Sequence, residues 1–164
     1  RPFRDIIKIR WSQHGFISAK KNETPRNLMA FKDGTVNPRK NNDLKKYVFI
    51  DNGWAENGTY CIIRRIQIHI ETWDRTALEE QEATFGRKRS TGAPLTGKKE
   101  FDNIDLNAKN NKGKYVIDEN AHTRLAREVK TSIKRRAYNY NDGTNAKTGD
   151  LDTGLMFICL FHGL

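Results

Sequence analysis

Residues 59–70, TYCIIRRIQIHI, place apolar side chains in alternation with Arg65, Gln67 and His69. A period of two with this much β-branched Ile is the signature of a half-buried strand. The period changes at once. Thr72 is placed to N-cap a helix whose Trp73, Ala77, Leu78, Gln81 and Phe85 share a face, while Asp74, Glu79, Glu80 and Glu82 fall elsewhere and Gly86 stops it. Working outward, residues 47–51 (YVFID) read as a short buried strand before a turn at Asn52-Gly53. Residues 90–97 (STGAPLTG) read as loop, 114–117 as a short strand, 132–140 as a strand carrying Arg135 and Arg136, and 155–161 (LMFICLF) as a buried strand. Four or five strands with one clear helix predict an α+β fold, a ferredoxin-like antiparallel sheet with helices on one face, although the usual second helix is not evident.

The chain has 164 residues, room for one domain or half of a larger protein. Its apolar share of 36% supports a core, and the absence of any long apolar run excludes a membrane span. Cys61 and Cys159 both sit in apolar or alternating runs and read as buried small hydrophobes; neither belongs to a C-x-x-C pair. Residues 1–30 read as a connecting segment with one apolar patch at 6–11. The chain starts at Arg1 without n-region or h-region, so any targeting segment is expected to lie outside it.

Thirty Lys plus Arg against 20 Asp plus Glu, a net charge of +10, raise the reading of a basic nucleic-acid-binding module. The cations are scattered, however. Arg87, Lys88 and Arg89 end the predicted helix, where they suit its dipole, and Lys20, Lys21, Lys98 and Lys99 lie in connections. No strand carries the aromatic signature of an RNA-recognition sheet, which makes nucleic-acid binding the least favoured function.

Three short stretches carry possible chemistry. His122 follows Asp118-Glu119-Asn120 and precedes Thr123-Arg124-Leu125-Ala126, outside any core stripe, so metal ligation competes there with an ordinary exposed imidazole. Lys32-Asp33-Gly34-Thr35 has the form of a simple Asp-Gly turn. Alternation along the strand sends the Arg135 and Arg136 guanidiniums to opposite faces, and whichever points inward needs an anionic or polar partner.

Taken in order, residues 31–38 (FKDGTVNP), 51–54 (DNGW), 58–60 with 64–66, Glu71-x-Trp73-Asp74-Arg75, 80–82, Gly86-Arg87, 92–95 (GAPL), 121–126 (AHTRLA), 135–140 (RRAYNY) and 151–157 resemble the haem-containing dye-decolourising (DyP-type) peroxidases, in the branch of iron-dependent peroxidases or deferrochelatases. The resemblance runs from about Asn27 to Phe157. It implies a pair of ferredoxin-like domains with haem b in the second. Residues 1–30 are then the connecting segment and 31–164 most of the haem-binding domain, incomplete at its C-terminal end and with no N-terminal domain. It also implies a homo-oligomer and export by the twin-arginine route to an extracytoplasmic location.

The resemblance assigns His122 as proximal ligand of the haem iron. Asp33 matches the distal aspartate of a Gly-x-x-Asp-Gly motif, expected to move a proton between the oxygens of hydrogen peroxide, and Arg135 the distal arginine, whose fixed charge favours the departing oxygen. Leu155 and Phe157 match the apolar wall of the distal pocket, and Gly34, Thr35, Asn37 and Arg124 are expected among the cofactor-binding residues. Two positions depart from the pattern: Ala30 stands where the motif begins with Gly, its methyl expected to restrict approach to the haem edge, and Ala137 stands where some branches carry Asn. No carboxylate partner for the second nitrogen of His122 is evident. The implied activity is peroxide-dependent oxidation of dyes, phenols or porphyrinogens, with deferrochelatase activity, the removal of iron from haem, as a second possibility. The opposing expectation is a non-catalytic fragment that keeps the fold and holds no haem.

Overall fold

Strand β4, Leu151–Phe161, organises the chain because every other strand pairs with it. In the computed structural model, which describes residues 6–129 and 131–163, the chain-order elements are α1 Asn41–Tyr47, β1 Tyr60–Gln67, α2 Ile70–Arg75, α3 Leu78–Phe85, α4 His122–Glu128, β2 Lys134–Arg135, β3 Tyr138–Thr144 and β4. β1 lies antiparallel along one edge of β4, with Arg65 opposite Met156 and Ile66 opposite Leu155. β2 and β3 lie antiparallel along the other edge, Arg135 opposite Cys159 and Tyr138 opposite Met156, in one common register. The Arg136 amide bonds the Ile158 carbonyl at 2.8 Å between them. The strand expected over 132–140 is therefore one path with a short interruption. The result is the antiparallel α+β sheet that the alternation foretold.

Residues directly opposite in an antiparallel ladder share a face. One face of the sheet consequently carries Leu155, Phe157 and Cys159 together with Arg135 and Asn139, and the other carries Gly154 and Met156 with Arg65, Tyr138 and Tyr140. Arg136 falls on the second face, exposed, with its Nε donating to the Tyr138 hydroxyl at 3.2 Å. Tyr140 is fully buried and lies so close over Gly154 that a Cβ there would sit 2.8 Å from its ring and 1.9 Å from the Ile66 carbonyl oxygen. Only glycine fits that point of the central strand.

Several elements differ from the sequence expectation. The single helix predicted from Thr72 is two, because Thr76 and Ala77 take extended backbone. Gln81, 2% exposed, bridges the break by donating to the carbonyls of Trp73 and Thr76 at 2.8 and 3.1 Å. Backbone groups that a continuous helix would satisfy internally are satisfied by one side chain. The helix stop at Gly86 holds, with φ of 72°. Residues 47–51 form no strand; Tyr47 ends α1 and Val48, 1% exposed, packs as its cap. The short strand expected at 114–117 is only an isolated bridge between Lys109 and Tyr115. A helix that the periodicity did not reveal, α4, begins at His122.

All of β1 is exposed, since no described element covers it beyond its one ladder with β4. Cys61 is accordingly exposed, against expectation, while Cys159 is buried as expected. Ile6, Ile7, Ile9 and Trp11 are exposed too, so the 6–11 patch does not cover the Leu155–Phe161 face. Among the described residues no helix is long and apolar enough to cross a membrane.

The core beside the sheet is aromatic. Phe31, 2% exposed, stacks on Phe85 with centroids 4.0 Å apart and meets Trp73 edge-on at 6.2 Å. Burial of that kind is worth roughly 3–5 kcal/mol against truncation to Ala. The chain reaches Phe31 through a turn in which the Ala30 amide donates to the Asn27 carbonyl at 2.9 Å and the Arg26 guanidinium donates to the Ala30 carbonyl at 2.6 Å. Ala30 has φ of 65°, the left-handed region that a Cβ disfavours. Ala30→Gly is therefore expected to stabilise the chain by about 1 kcal/mol, read as a rise in thermal midpoint; an unchanged or lower midpoint would show that the turn carries no such strain.

Candidate active site

Phe31 fixes the start of a turn, residues 32–37, whose polar side chains all find partners. On one side the Lys32 ammonium meets the Glu100 carboxylate at 2.6 Å and the Thr35 hydroxyl donates to the same carboxylate at 3.0 Å. Burial raises the Glu100 carboxyl, yet the bonds from Lys32, Thr24 and Thr35 outweigh it and hold the group below its ordinary range. On the other side the Asp33 carboxylate lies 3.0 Å from the Arg135 guanidinium, neither side chain being freely exposed. The inward-pointing arginine required by strand alternation is Arg135, and Asp33 is its anion.

Gly34 turns the chain between these anchors with φ of 101°. Its missing Cβ is used as well, because a methyl there would lie 3.0 Å from the Asn37 side-chain nitrogen. Asn37 makes a reciprocal pair with the backbone of Arg135: its Nδ2 donates to the Arg135 carbonyl at 2.8 Å and its Oδ1 accepts from the Arg135 amide at 3.0 Å.

His122 opens α4. Ala121, buried, caps the helix, and the Thr123 hydroxyl donates to the Phe85 carbonyl at 2.7 Å, so the start of α4 is docked on the end of α3. The His122 ring lies 5.9 Å from the Phe85 ring. Desolvation lowers its imidazole below the usual value and the Arg135 charge lowers it further, opposed by Asp33. His122 itself remains exposed to solvent, and the lowering favours its neutral form, the one with a lone pair for a metal.

A cavity of about 250 Å³ opens at the pair, lined by Asp33, Gly34, Asn37, Arg135, Asn139 and Leu155, with Phe16 and Ile17 of the connecting segment at its wall. Phe16 is held there by a two-way backbone bridge to Asn139. Phe157 shares the sheet face of Arg135 but does not line this cavity, and neither does His122. Arg124 points elsewhere: its guanidinium donates to the carbonyls of Leu106, Ile117 and Asp118 and lies over the Tyr115 ring, tying down a loop. Among the described residues no carboxylate bonds His122 and no three His, Cys, Asp or Glu residues form a metal cluster. Glu100 is the site residue that the sequence did not announce, since it sits in a polar loop with no periodicity to mark it.

The Asp33–Arg135 ion pair thus sits on the sheet face of Leu155 and Phe157, with His122 at the start of α4 feeling the charge of both. The chain belongs to the DyP-type peroxidase family: the model of the DyP-type peroxidase C-terminal domain matches residues 24–164. The Deferrochelatase of Escherichia coli (strain K12) is 42% identical over 98% of this chain. Among solved structures, DtpA from Streptomyces lividans superposes with a TM-score of 0.87 at 34% identity over 94% of the chain, and a DyP-type peroxidase from Cellulomonas bogoriensis with 0.84 at 36% over 93%. This chain spans 41% of that curated relative and 45% of each of the two solved chains.

The Glu100 anchor has a measurable pH signature. A carboxyl lowered in the folded state contributes stability that is present above its unfolded value, near 4.5, and is lost as pH falls through the lower folded value. Glu100→Gln is expected to cost about 2 kcal/mol at pH 7, by removing the negative charge that binds Lys32 and turning one of its two acceptor oxygens into an amide donor, and to flatten the acid limb of the stability curve below pH 4.5. Chemical denaturation from pH 3 to 7 tests both; an acid limb as steep in the variant as in the parent refutes the assignment.

Proposed function

We propose that this chain is the haem-binding part of a peroxidase that consumes hydrogen peroxide and oxidises an organic electron donor such as a dye, a phenol or a porphyrinogen. The observation that carries the proposal is the Asp33–Arg135 pair at 3.0 Å, on the sheet face of Leu155 and Phe157 and within charge range of a histidine whose neutral form is favoured. Haem b would be held through the His122 imidazole as iron ligand, with Asp33 and Arg135 left to act on peroxide. When bound, the haem supplies the redox chemistry.

The chain's own groups do the rest. The Asp33 carboxylate accepts a proton from hydrogen peroxide and returns it to the departing oxygen, so that water leaves. The Arg135 guanidinium remains charged throughout and favours the negative charge that develops as the O–O bond parts. Leu155 limits the space available at the pair, which suits a small oxidant entering and a larger donor delivering electrons from outside. A second reading, a domain that keeps the fold and holds no haem, is favoured by one feature: the cavity at the pair is walled without His122.

Titration of the chain with hemin separates the two readings. A Soret shift that is lost in His122→Ala is expected; an identical spectrum in His122→Ala would remove His122 as ligand, and no spectrum at all would favour the second reading. In the loaded protein, Arg135→Leu is expected to slow peroxide consumption by about 100-fold at every pH. Asp33→Asn should slow it comparably, because the amide cannot take the proton. An unchanged rate in Asp33→Asn would end its assignment as proton carrier.

A further inference from the structure

Asn37 falls in the stretch that the family resemblance assigns to cofactor contacts, yet both ends of its amide are bonded to protein backbone. The Nδ2 donates to the Arg135 carbonyl at 2.8 Å and the Oδ1 accepts from the Arg135 amide at 3.0 Å. This is the pattern that a neighbouring strand residue would offer. β2 is only Lys134–Arg135 and its other side pairs with β4, so the Asn37 side chain occupies the outer edge of the strand at the one residue that carries the active guanidinium.

We propose that Asn37 is a positioning residue that acts through Arg135: it replaces a missing strand neighbour, fixes the backbone of Arg135, and so holds the guanidinium on Asp33. Three features of the chain agree. Asp33 and Asn37 belong to one turn, closed by the Asn37 amide donating to the Gly34 carbonyl at 3.1 Å, so a single loop takes Arg135 by its side chain and by its backbone. Gly34 lacks the Cβ that would stand 3.0 Å from Nδ2, which leaves room for the amide to fold back. The turn itself is anchored from behind by Glu100 through Lys32 and Thr35, and it therefore presents Asn37 from a rigid base. A two-residue strand at a sheet edge has little else to define its direction, and misplacement of a charged group by about 1 Å is enough to lose 100-fold in rate.

The proposal deepens the peroxidase reading and rests on it only for its catalytic consequence; the placement of Arg135 can be read without haem. In ¹⁵N-labelled chain free of haem, the Arg135 amide is expected to be protected from hydrogen exchange, and the guanidinium resonances that move in Asp33→Asn report the ion pair. Asn37→Ala should lower the Arg135 amide protection about tenfold and shift the guanidinium resonances to where Asp33→Asn puts them. The amides of Ile66 and Leu155, paired in the β1–β4 ladder, should stay protected. Asn37→Leu, which keeps the shape and loses both donor and acceptor, should lower Arg135 protection by a similar factor and serves if the alanine variant folds poorly. Unchanged Arg135 protection in these variants, or guanidinium resonances that do not move, overturns the proposal.

In haem-loaded chain, Asn37→Ala should slow peroxide consumption about tenfold in the parent and add nothing once Arg135→Leu is present. Equal slowing in both backgrounds would show that Asn37 does not act through Arg135. If Arg135→Leu itself leaves the rate untouched, the peroxidase reading of the pair fails, and the resonances still decide the placement.

Discussion

The structure of the site depends on one turn being held from both sides. Residues 32–37 have no regular secondary structure of their own, and a loop of that kind ordinarily samples many conformations. Here Phe31 is stacked into the aromatic core at one end, Glu100 binds Lys32 and Thr35 behind, and Arg135 is bound in front by Asp33 and Asn37. Each contact removes freedom from the same few dihedral angles. The carboxylate of Asp33 thereby gains a defined place opposite a guanidinium that arrives from the far end of the chain.

Charge and sheet register combine to make that pairing necessary. β2, β3 and β4 share a register in which Arg135 must point to the face of Leu155 and Phe157, whereas Arg136 points away. A guanidinium on a partly covered apolar face requires an anion, and Asp33 is the one that the turn supplies. The same rule operates on the opposite face, where Arg65 is bound by Asp142 and Asp152 and lies 4.1 Å over the buried Tyr140 ring. That cluster ties β1, β3 and β4 together across the sheet. The net charge of +10 is thus partly organised into structural ion pairs rather than into one binding surface.

The family likeness to deferrochelatases and DyP-type peroxidases agrees with this architecture, and the present chain accounts for about two-fifths of such a relative. Within that portion lie the histidine, the aspartate and the arginine that the proposed chemistry uses. Arg124, by contrast, shows how a polar residue in a family motif can serve the scaffold: three carbonyls of the loop before α4 converge on it, and these hold the loop that leads into His122.

What the sequence determined by itself was whatever short-range periodicity and turn chemistry control. The alternation in residues 59–70 and 155–161 marked two strands of the sheet, Gly86 marked a helix end, and the Arg135-Arg136 pair required one inward cation. What only the tertiary structure decided was how distant segments meet. The break between α2 and α3 arises because buried Gln81 satisfies the carbonyls of Trp73 and Thr76, a bargain invisible to helical period. α4 was hidden because its seven residues show no stripe long enough to read, and only docking of Thr123 on Phe85 defines it. The role of Asn37 was hidden for the same reason. Its partner is 98 residues away in the chain, and hydrogen bonding over that separation is set by sheet register and loop anchoring, not by local sequence.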